Sequence, residues 1–322
     1  EGEPIRIHVA NTADGEARWI ADEARHQMLG GVLPENIAVL YRTNFQSRAI
    51  EEAFLRGRIP YKLLGTRFLD RKEVKDVLAW VRLALEPTRE TDRMRAVQFP
   101  PRGIGKVTIG KLTAGMRDSL KAGERSKVEA FEAIVNELNV AAQTLPPSEF
   151  VRLVIERSGM EAAFIKGGDE DAERLENAKE LATLASRYDA TPGVEGINGF
   201  LADTALAGDQ DELDREQSKT GVTLMTVHAS KGLEFDTVFV TGLEEGLFPH
   251  QGMDEEKRDQ EEERRLFYVA VTRARKRLIL TLARVRRIYG TDFLSEPSSF
   301  IHDIDEHLLH LEEGDEHETI IE

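Results

Sequence analysis

The sequence of 322 residues contains no cysteine. Disulfides, thiolate zinc sites and cysteine nucleophiles are therefore excluded, and the composition is compatible with a reducing cytoplasm. Long apolar runs are lacking too, since no stretch approaches the roughly 20 residues that a membrane-spanning helix requires. Hydrophobic residues make up 40% of the chain and charged residues 32%, which is typical of a globular protein with a highly charged surface. We therefore expect no membrane partner.

The N-terminus, Glu1-Gly2-Glu3-Pro4, carries no initiator Met and no basic or apolar signal segment. We therefore expect the chain to be a segment of a longer polypeptide. Its length fits two domains, or one domain with a large insertion, at roughly 100 to 200 residues per domain.

The formal net charge of −16 argues, taken alone, against a nucleic-acid partner. Its distribution changes that conclusion, because nine carboxylates and no Lys or Arg follow from Asp303 onward. Four histidines in the same stretch match no metal-ligand spacing, so we predict no metal site and a solvated acidic tail over residues 306–322; they are His302, His307, His310 and His317. Elsewhere, basic clusters at residues 264–265, 273–277 and 284–287 are compatible with a locally positive groove.

Strand-like and helix-like patterns alternate in two parts of the chain. Residues 5–10 and 37–41 are typical of strands, and residues 16–29 and 48–55 have a helical rhythm. In the last third, three β-rich runs are of the kind buried on both faces of a parallel sheet; they are residues 222–227, 237–242 and 278–283. The predicted fold class is α/β, with a parallel sheet in a discontinuous domain.

The middle of the chain is predicted to be all-helical. Leu, Ala, Glu, Lys and Arg recur there at helical spacing, and Gly and Pro residues punctuate it. Residues 209–220 are polar and are interpreted as a return linker. The predicted domains are residues 1–64 with 221–305 as the α/β domain, residues 65–220 as a helical insertion, and residues 306–322 as the acidic tail.

One polar segment, TVHASKGLEF at residues 226–235, follows a predicted strand. Open α/β folds bind ligands at the carboxyl edge of the sheet, and we expect Thr226, His228 and Lys231 to lie there. Gly232 would let the backbone approach a ligand, and Glu234 could accept hydrogen bonds from a ribose. The alternative is a polar loop that only connects two core strands.

A second segment, EEERRLFYVAVTRAR at residues 261–275, has a helical pattern. Arg265, Thr272 and Arg273 lie where a cleft could use them. The planar fork of an arginine suits phosphoryl transfer, where such a residue is worth about 10³ to 10⁵ in rate. The alternative is an arginine-rich helix with a solvated face.

Residues 102–109, RGIGKVTI, combine a Gly-x-Gly turn with the start of a helix. Backbone N–H groups at a helix N-terminus bind anions, and Lys106 and Thr108 stand beside the turn. Gly105 to Lys111 also satisfies G-x-x-x-x-G-K, but Leu112 stands where a phosphate loop needs Ser or Thr. We find no phosphate loop, and no strand ending in an Asp-Glu pair that would hold Mg²⁺.

Taken together, these motifs resemble a known family. Residues 223–235 with 242–250 resemble motif V, and residues 261–278 resemble motif VI, of the UvrD/PcrA/Rep superfamily 1 DNA helicases. Segments at residues 39–48, 65–76 and 102–105 follow in the family's order, so the similarity runs to about residue 305. It implies the C-terminal half of a helicase, with a second RecA-like motor domain and a mobile helical accessory domain.

The resemblance also implies roles. Arg273 would reach the γ-phosphate of ATP, while Gly232 and Glu234 would contact the nucleotide. The single-stranded DNA track would include Arg42, Asn44, Thr226, His228 and Lys231. The Gly-x-Gly element resembles hairpins that grip duplex phosphates, through Arg102, Gly103, Gly105, Lys106 and Thr108.

The implied cofactor is ATP with Mg²⁺, held mainly by an N-terminal motor domain of the same protein. The implied partners are single-stranded DNA, a duplex junction and repair proteins, in a cytoplasmic, nucleoid-associated protein of DNA repair or replication. The isolated chain is expected to be inactive as an ATPase.

Two alternatives stay open. The chain could be a non-catalytic DNA-binding or regulatory module that engages duplex or a protein through its helical insertion. It could also come from a recombination helicase-nuclease subunit, but such subunits need a nuclease domain with clustered Asp, Glu and Lys, and the acidic tail contains no Lys.

Overall fold

The computed structural model describes residues 3–215, 220–251 and 260–313. The strands in these ranges are β1 (Ile5–Thr12), β2 (Ile37–Tyr41), β3 (Tyr61–Leu64), β4 (Val222–Thr226), β5 (Phe235–Val240), β6 (Ala274–Ile288), β7 (Thr291–Leu294) and β8 (Leu309–Glu313). The α-helices are α1 (Ala13–Leu29), α2 (Ser47–Arg56), α3 (Lys72–Leu85), α4 (Glu90–Ala96), α5 (Lys106–Thr113), α6 (Ala122–Ala141), α7 (Pro147–Arg157), α8 (Met160–Ile165), α9 (Asp169–Ala185), α10 (Val194–Arg215), α11 (Gln260–Val271) and α12 (Ser299–His302).

The strands form one sheet in the order β3-β4-β2-β5-β6-β1-β8, and β7 pairs with β6. Every pairing along that order is parallel. The predicted α/β fold with a parallel sheet is therefore confirmed. Tyr41 lies opposite Thr226 and Leu40 lies opposite Val240, so β2, β4 and β5 end at one edge of the sheet.

Helices cover both faces of this sheet. Alternate residues of β2, such as Val39 and Leu40, contribute to two separate hydrophobic cores. One core includes Ile20 of α1 and Phe54 of α2, and the other includes Leu266 of α11. Because β2 is buried on both faces, its sequence is a continuous apolar run rather than an alternating one.

Local sequence explains the helices that frame the sheet. α1 begins after Thr12, whose hydroxyl oxygen accepts a hydrogen bond of 3.1 Å from the Gly15 N–H. The first turn of α11 carries Glu261, Glu262 and Glu263, where negative charge complements the positive end of the helix dipole.

Two compact units make up the chain. The first contains residues up to Phe68, from Glu212 to Arg287, and from Asp292 onward. The second contains Leu69–Asp211 and Ile288–Thr291. Its main part comprises helices α3 to α9 and most of α10, in agreement with an all-helical middle section. The grouping of residues 288–291 with this unit is not foreseen by the sequence.

Four segments differ from the sequence-based expectation. The return linker was placed at residues 209–220, but α10 continues to Arg215, and residues 216–219 lie outside the described residues. Residues 309–313 were assigned to a solvated tail but form the edge strand β8, because Leu309 and Leu311 alternate with polar residues at the spacing of a strand. The rest of that predicted tail, residues 314–322, lies outside the described residues. Strands β3 and β7 were not predicted.

Within the described ranges, no helix combines the length and the apolar character needed to cross a bilayer.

Candidate functional site

Arg273 and Glu234 lie at the same edge of the sheet. Glu234 immediately precedes β5, Arg273 immediately precedes β6, and the first residues of these strands, Phe235 and Ala274, are register partners. The Phe235 N–H donates to the backbone oxygen of Arg273 at 2.9 Å. Both candidate nucleotide contacts are therefore held at the amino ends of adjacent parallel strands.

The guanidinium of Arg273 is held by uncharged oxygens. Its Nε donates to the backbone oxygen of Val269 at 2.9 Å, Nη1 to that of Leu233 at 3.0 Å, and Nη2 to Oγ1 of Thr272 at 3.0 Å. In the described part of the chain no carboxylate is among these acceptors, so the hydrogen bonds orient the positive charge without neutralising it. A half-buried, oriented cation of this kind is suited to an anionic ligand.

The loop of residues 227–234 crosses from one edge of the sheet to the other. β4 and β5 are both parallel to β2, so a chain that leaves the carboxyl end of β4 must return to the amino edge before β5 starts. His228, Lys231 and Glu234 are exposed along this path, and Gly232 adopts a φ of 88° that favours glycine. From the sequence, Thr226, His228 and Lys231 are expected at the carboxyl edge. Thr226 ends β4 there, and Glu234 lies at the opposite edge.

At the carboxyl edge, the residues after β2 form a compact turn. The backbone N–H groups of Arg42 and Thr43 both donate to Oε1 of Gln46, at 3.1 and 2.9 Å. Thr226 ends the neighbouring strand β4 at the level of Tyr41. Arg42, Asn44 and Thr226 are thus brought to one edge, as expected for residues of a shared track, although their contact with DNA stays a prediction.

Arg42 is held in an ion pair that was not predicted from the sequence. Its Nε and Nη2 contact both carboxylate oxygens of Glu263, at 2.6 to 3.1 Å. The side chains are 14% and 8% exposed, and Glu263 also accepts a hydrogen bond of 2.9 Å from the backbone N–H of His250. Nη1 of Arg42 lies outside the pair and is the part of this guanidinium that a phosphate could engage.

The Gly-x-Gly element belongs to the second unit. Gly103 has a φ of 65°, and the backbone oxygen of Gly103 accepts a hydrogen bond of 3.5 Å from Nζ of Lys127. Gly105 precedes α5 with an ordinary φ of −86°. Lys106 is exposed at the start of α5, whereas Thr108 is buried and donates to Glu124 at 3.4 Å.

Arg102 points into this unit rather than outward. Its guanidinium carbon lies 4.9 Å from the ring centre of Trp80 and 5.7 Å from that of Phe131, and Nη2 donates to the backbone oxygen of Ser158 at 2.5 Å. Burial lowers the pKa of Arg102. The sequence predicted Arg102 as a duplex contact; the structure shows its guanidinium packed against two aromatic rings, and its contact with DNA stays a prediction.

Residues 1–285 match the profile of the UvrD-like helicase C-terminal domain. The chain belongs to this family. It is 35% identical over 340 residues to the ATP-dependent DNA helicase PcrA of Staphylococcus epidermidis, an alignment that covers 99% of this chain and 46% of the relative. It is 34% identical to the PcrA helicase of Bacillus subtilis, with 96% of this chain and 45% of the relative covered. The chain therefore spans less than half the length of these curated relatives.

Among solved structures, the C-terminal domain of a possible DNA helicase from a Lactobacillus is similar with a TM-score of 0.38 and 10% identity. That alignment covers 97% of this chain and 86% of the other.

For a UvrD-like C-terminal domain, two further features of the site are informative. The G-x-x-x-x-G-K pattern at residues 105–111 lies on α5, so it forms a helix rather than a phosphate-binding loop. Among residues 3–215, 220–251 and 260–313, no three side chains of His, Asp or Glu come together as metal ligands. Within these ranges Arg273 and Glu234 therefore stay the candidate nucleotide contacts.

Proposed function

We propose that the protein containing this chain is an ATP-dependent DNA helicase that translocates along single-stranded DNA and unwinds duplex. The observation that supports the proposal most directly is the arrangement of Arg273 beside the loop that bears Glu234. One edge of the first unit thereby presents a cation for a phosphate and a carboxylate for a ribose. PcrA relatives that align over nearly the whole chain are named as ATP-dependent DNA helicases.

In this proposal, ATP with Mg²⁺ is held mainly by an N-terminal motor domain, and this chain completes the nucleotide site. Arg273 stabilises the negative charge that spreads over the transferred phosphoryl oxygens. Glu234 accepts hydrogen bonds from the ribose. Gly232, two residues earlier, adopts the left-handed backbone conformation that the loop requires at that position. None of these groups activates the attacking water, so the isolated chain is expected to hydrolyse no ATP.

Single-stranded DNA binds, in this proposal, at the other end of the sheet. Arg42, Asn44 and Thr226 lie at the carboxyl edge, and His228 and Lys231 begin the crossing loop. Because the loop of residues 227–234 contains both DNA-facing and nucleotide-facing side chains, a shift at one end of the sheet is transmitted to the other. ATP that bridges two motor domains draws them together, and hydrolysis lets them separate.

The helical unit contributes a duplex contact in this proposal. Gly103 and Gly105 are exposed immediately before α5, and Lys106 and Lys127 add positive charge nearby. Such contacts position a duplex through its phosphates without reading base sequence. Contacts of this kind suit a protein whose substrate is a duplex junction formed during DNA repair or replication. Repair proteins would be its further partners.

The decisive experiment measures ATP hydrolysis by the full-length protein with and without single-stranded DNA, together with strand displacement from a forked duplex. Strong stimulation by DNA and ATP-dependent displacement are expected. The isolated chain serves as the negative control, and phosphate release above background from highly purified chain would contradict its assigned role. The proposed function would be refuted if the ATP turnover of the full-length protein did not change when single-stranded DNA is added.

A further inference from the structure

Helix α11 connects the two ends of the candidate site. Glu263, in its first turn, contacts Arg42 at the carboxyl edge of the sheet. Arg273 follows the last turn, at the amino edge. The helical stretch from Glu263 to Val271 is about 12 Å long. One rigid element therefore has the proposed DNA contact at its start and the proposed phosphate contact at its end.

The contact at the start of α11 is stiff and specific. Nε and Nη2 of Arg42 both contact the Glu263 carboxylate, a two-point geometry that fixes the angle as well as the distance between the groups. The pair is largely excluded from solvent, with 14% and 8% of the two side chains exposed, so water screens it little. Glu263 also accepts a hydrogen bond from the His250 N–H, which fixes the carboxylate further.

The end of α11 is equally constrained. Arg273 donates back to the Val269 oxygen of the helix and across to the Leu233 oxygen of the crossing loop. Because Arg273 is bonded to both elements, a displacement of α11 along its axis would change the orientation of its guanidinium. Nine residues lie between Glu263 and Arg273 in sequence, and the eight up to Val271 are helical.

We infer that Glu263 is a positioning residue that couples DNA binding at Arg42 to the orientation of Arg273. A DNA phosphate that engages Nη1 of Arg42 shifts the guanidinium, and the two-point pair transmits this shift to the N-terminal turn of α11. The helix carries it to Arg273, which reaches the γ-phosphate only when DNA is bound. This inference rests on the proposed function and adds the route by which DNA stimulates ATP turnover.

The test uses the full-length protein and the Glu263→Gln variant, which keeps the size of the side chain and removes its charge. We expect the ratio of DNA-stimulated to DNA-free ATP turnover to fall about five- to tenfold, the usual size of a lost coupling contact. DNA-free turnover and the KM for ATP should change less than about twofold, because Glu263 touches neither nucleotide nor DNA.

Glu262→Gln is the matched control. It removes the same charge from the neighbouring residue of α11, but the Glu262 side chain is 55% exposed and lies 3.7 Å from Arg265. It should leave the stimulation ratio unchanged. Arg42→Lys is the second test variant, because a lysine ammonium keeps the charge but cannot hold both carboxylate oxygens in a fork. It should lower the ratio as Glu263→Gln does, and combining both changes should lower it no further than one alone.

Several outcomes would overturn the inference. One is an unchanged ratio in Glu263→Gln, and another is an equal loss of DNA-free and DNA-stimulated turnover, which would indicate a purely structural role. If Glu263→Gln fails to fold, a normal ratio in Arg42→Lys overturns it alone. Failure of the proposed function is distinct, since the unaltered protein would then show no stimulation by DNA.

Discussion

Arg273 donates a hydrogen bond of 3.0 Å to the backbone oxygen of Leu233, the residue directly before Glu234. Arg275 adds a second bond of 3.0 Å to the backbone oxygen of Glu234 itself. The end of the motif VI segment is therefore fastened to the end of the motif V segment by side chain to backbone contacts. This fastening fixes where the guanidinium stands relative to the carboxylate that would bind a ribose.

Replacing Arg273 with Lys in the full-length protein should lower DNA-stimulated kcat at least about 10³-fold. Lysine preserves the charge, but its single nitrogen cannot take the three positions from which Nε, Nη1 and Nη2 of the guanidinium donate. Steady-state ATP hydrolysis measures the effect. Arg264→Lys, on the helix that precedes Arg273, is the control, because Arg264 is 64% exposed and pairs with Asp303. Near-normal turnover in Arg273→Lys would contradict the assigned role.

Gly103 and Gly105 should respond differently to alanine. Gly103 has a φ of 65°, and a Cβ atom there would stand 2.7 Å from Nζ of Lys127, whereas a Cβ on Gly105 meets nothing within 4 Å. Gly103→Ala should cost about 1 kcal/mol of stability and displace Lys127. Gly105→Ala should leave the fold intact. Thermal unfolding separates the two variants, and binding of forked DNA should weaken in Gly103→Ala; equal stability of the two variants would argue against this backbone conformation.

Arg102 and Lys106 are only four residues apart but should affect different properties. Arg102→Met should reduce the stability of the helical unit by about 2 kcal/mol, because it removes the contacts with two aromatic rings and the bond to the Ser158 oxygen. Lys106→Ala should change stability by less than about 0.5 kcal/mol. It should instead reduce the slope of log K against log salt concentration for duplex binding by about 1, the value expected for one lost phosphate contact.

Chemical denaturation and binding titrations at several salt concentrations measure these two properties. If Arg102→Met weakened DNA binding without lowering stability, the result would support the predicted contact of Arg102 with DNA.

The periodicity of the sequence was sufficient to predict the sheet and the helical middle section. β2, β4, β5 and β6 each contain an apolar run of the kind that only a doubly covered parallel sheet buries. β8 was missed because its acidic residues dominate the composition of the tail, although Leu309 and Leu311 already alternate at strand spacing. A composition argument could not detect that alternation.

Periodicity predicts the face on which a residue lies, but not its partner. Glu261, Glu262 and Glu263 are identical in type and consecutive, and only Glu263 is buried, because helix phase turns it towards Arg42. That partner is 221 positions away in sequence. The sequence also did not predict the edge of the sheet at which Glu234 lies. That position depends on the parallel register of β4 and β5 rather than on any local pattern.

A buried ion network at the carboxyl ends of β5 and β6 predicts an acid sensitivity. Nη2 of Arg286 lies 2.5 Å from Glu16 and 2.6 Å from Glu244. Burial alone would raise the pKa of Glu16, but the charge of Arg286 and hydrogen bonds from Thr281, Arg286 and Gly242 outweigh it and hold that pKa below its ordinary value of 4.5. A depressed pKa means that Glu16 stabilises the fold fully above about pH 4.5 and loses this contribution as the pH falls through its folded-state pKa.

Glu16→Gln should therefore lower the free energy of unfolding by about 3 kcal/mol at neutral pH, since it leaves Arg286 with only one of its two carboxylates. The deficit should shrink as the pH falls below 4.5, because the unaltered protein loses there what the variant already lacks. Urea unfolding between about pH 3 and 7 measures both curves. Asp22→Asn, on the same helix but 68% exposed, removes an equal charge and should change stability by less than about 1 kcal/mol. Parallel curves for the unaltered protein and Glu16→Gln would show that Glu16 is not held charged by Arg286.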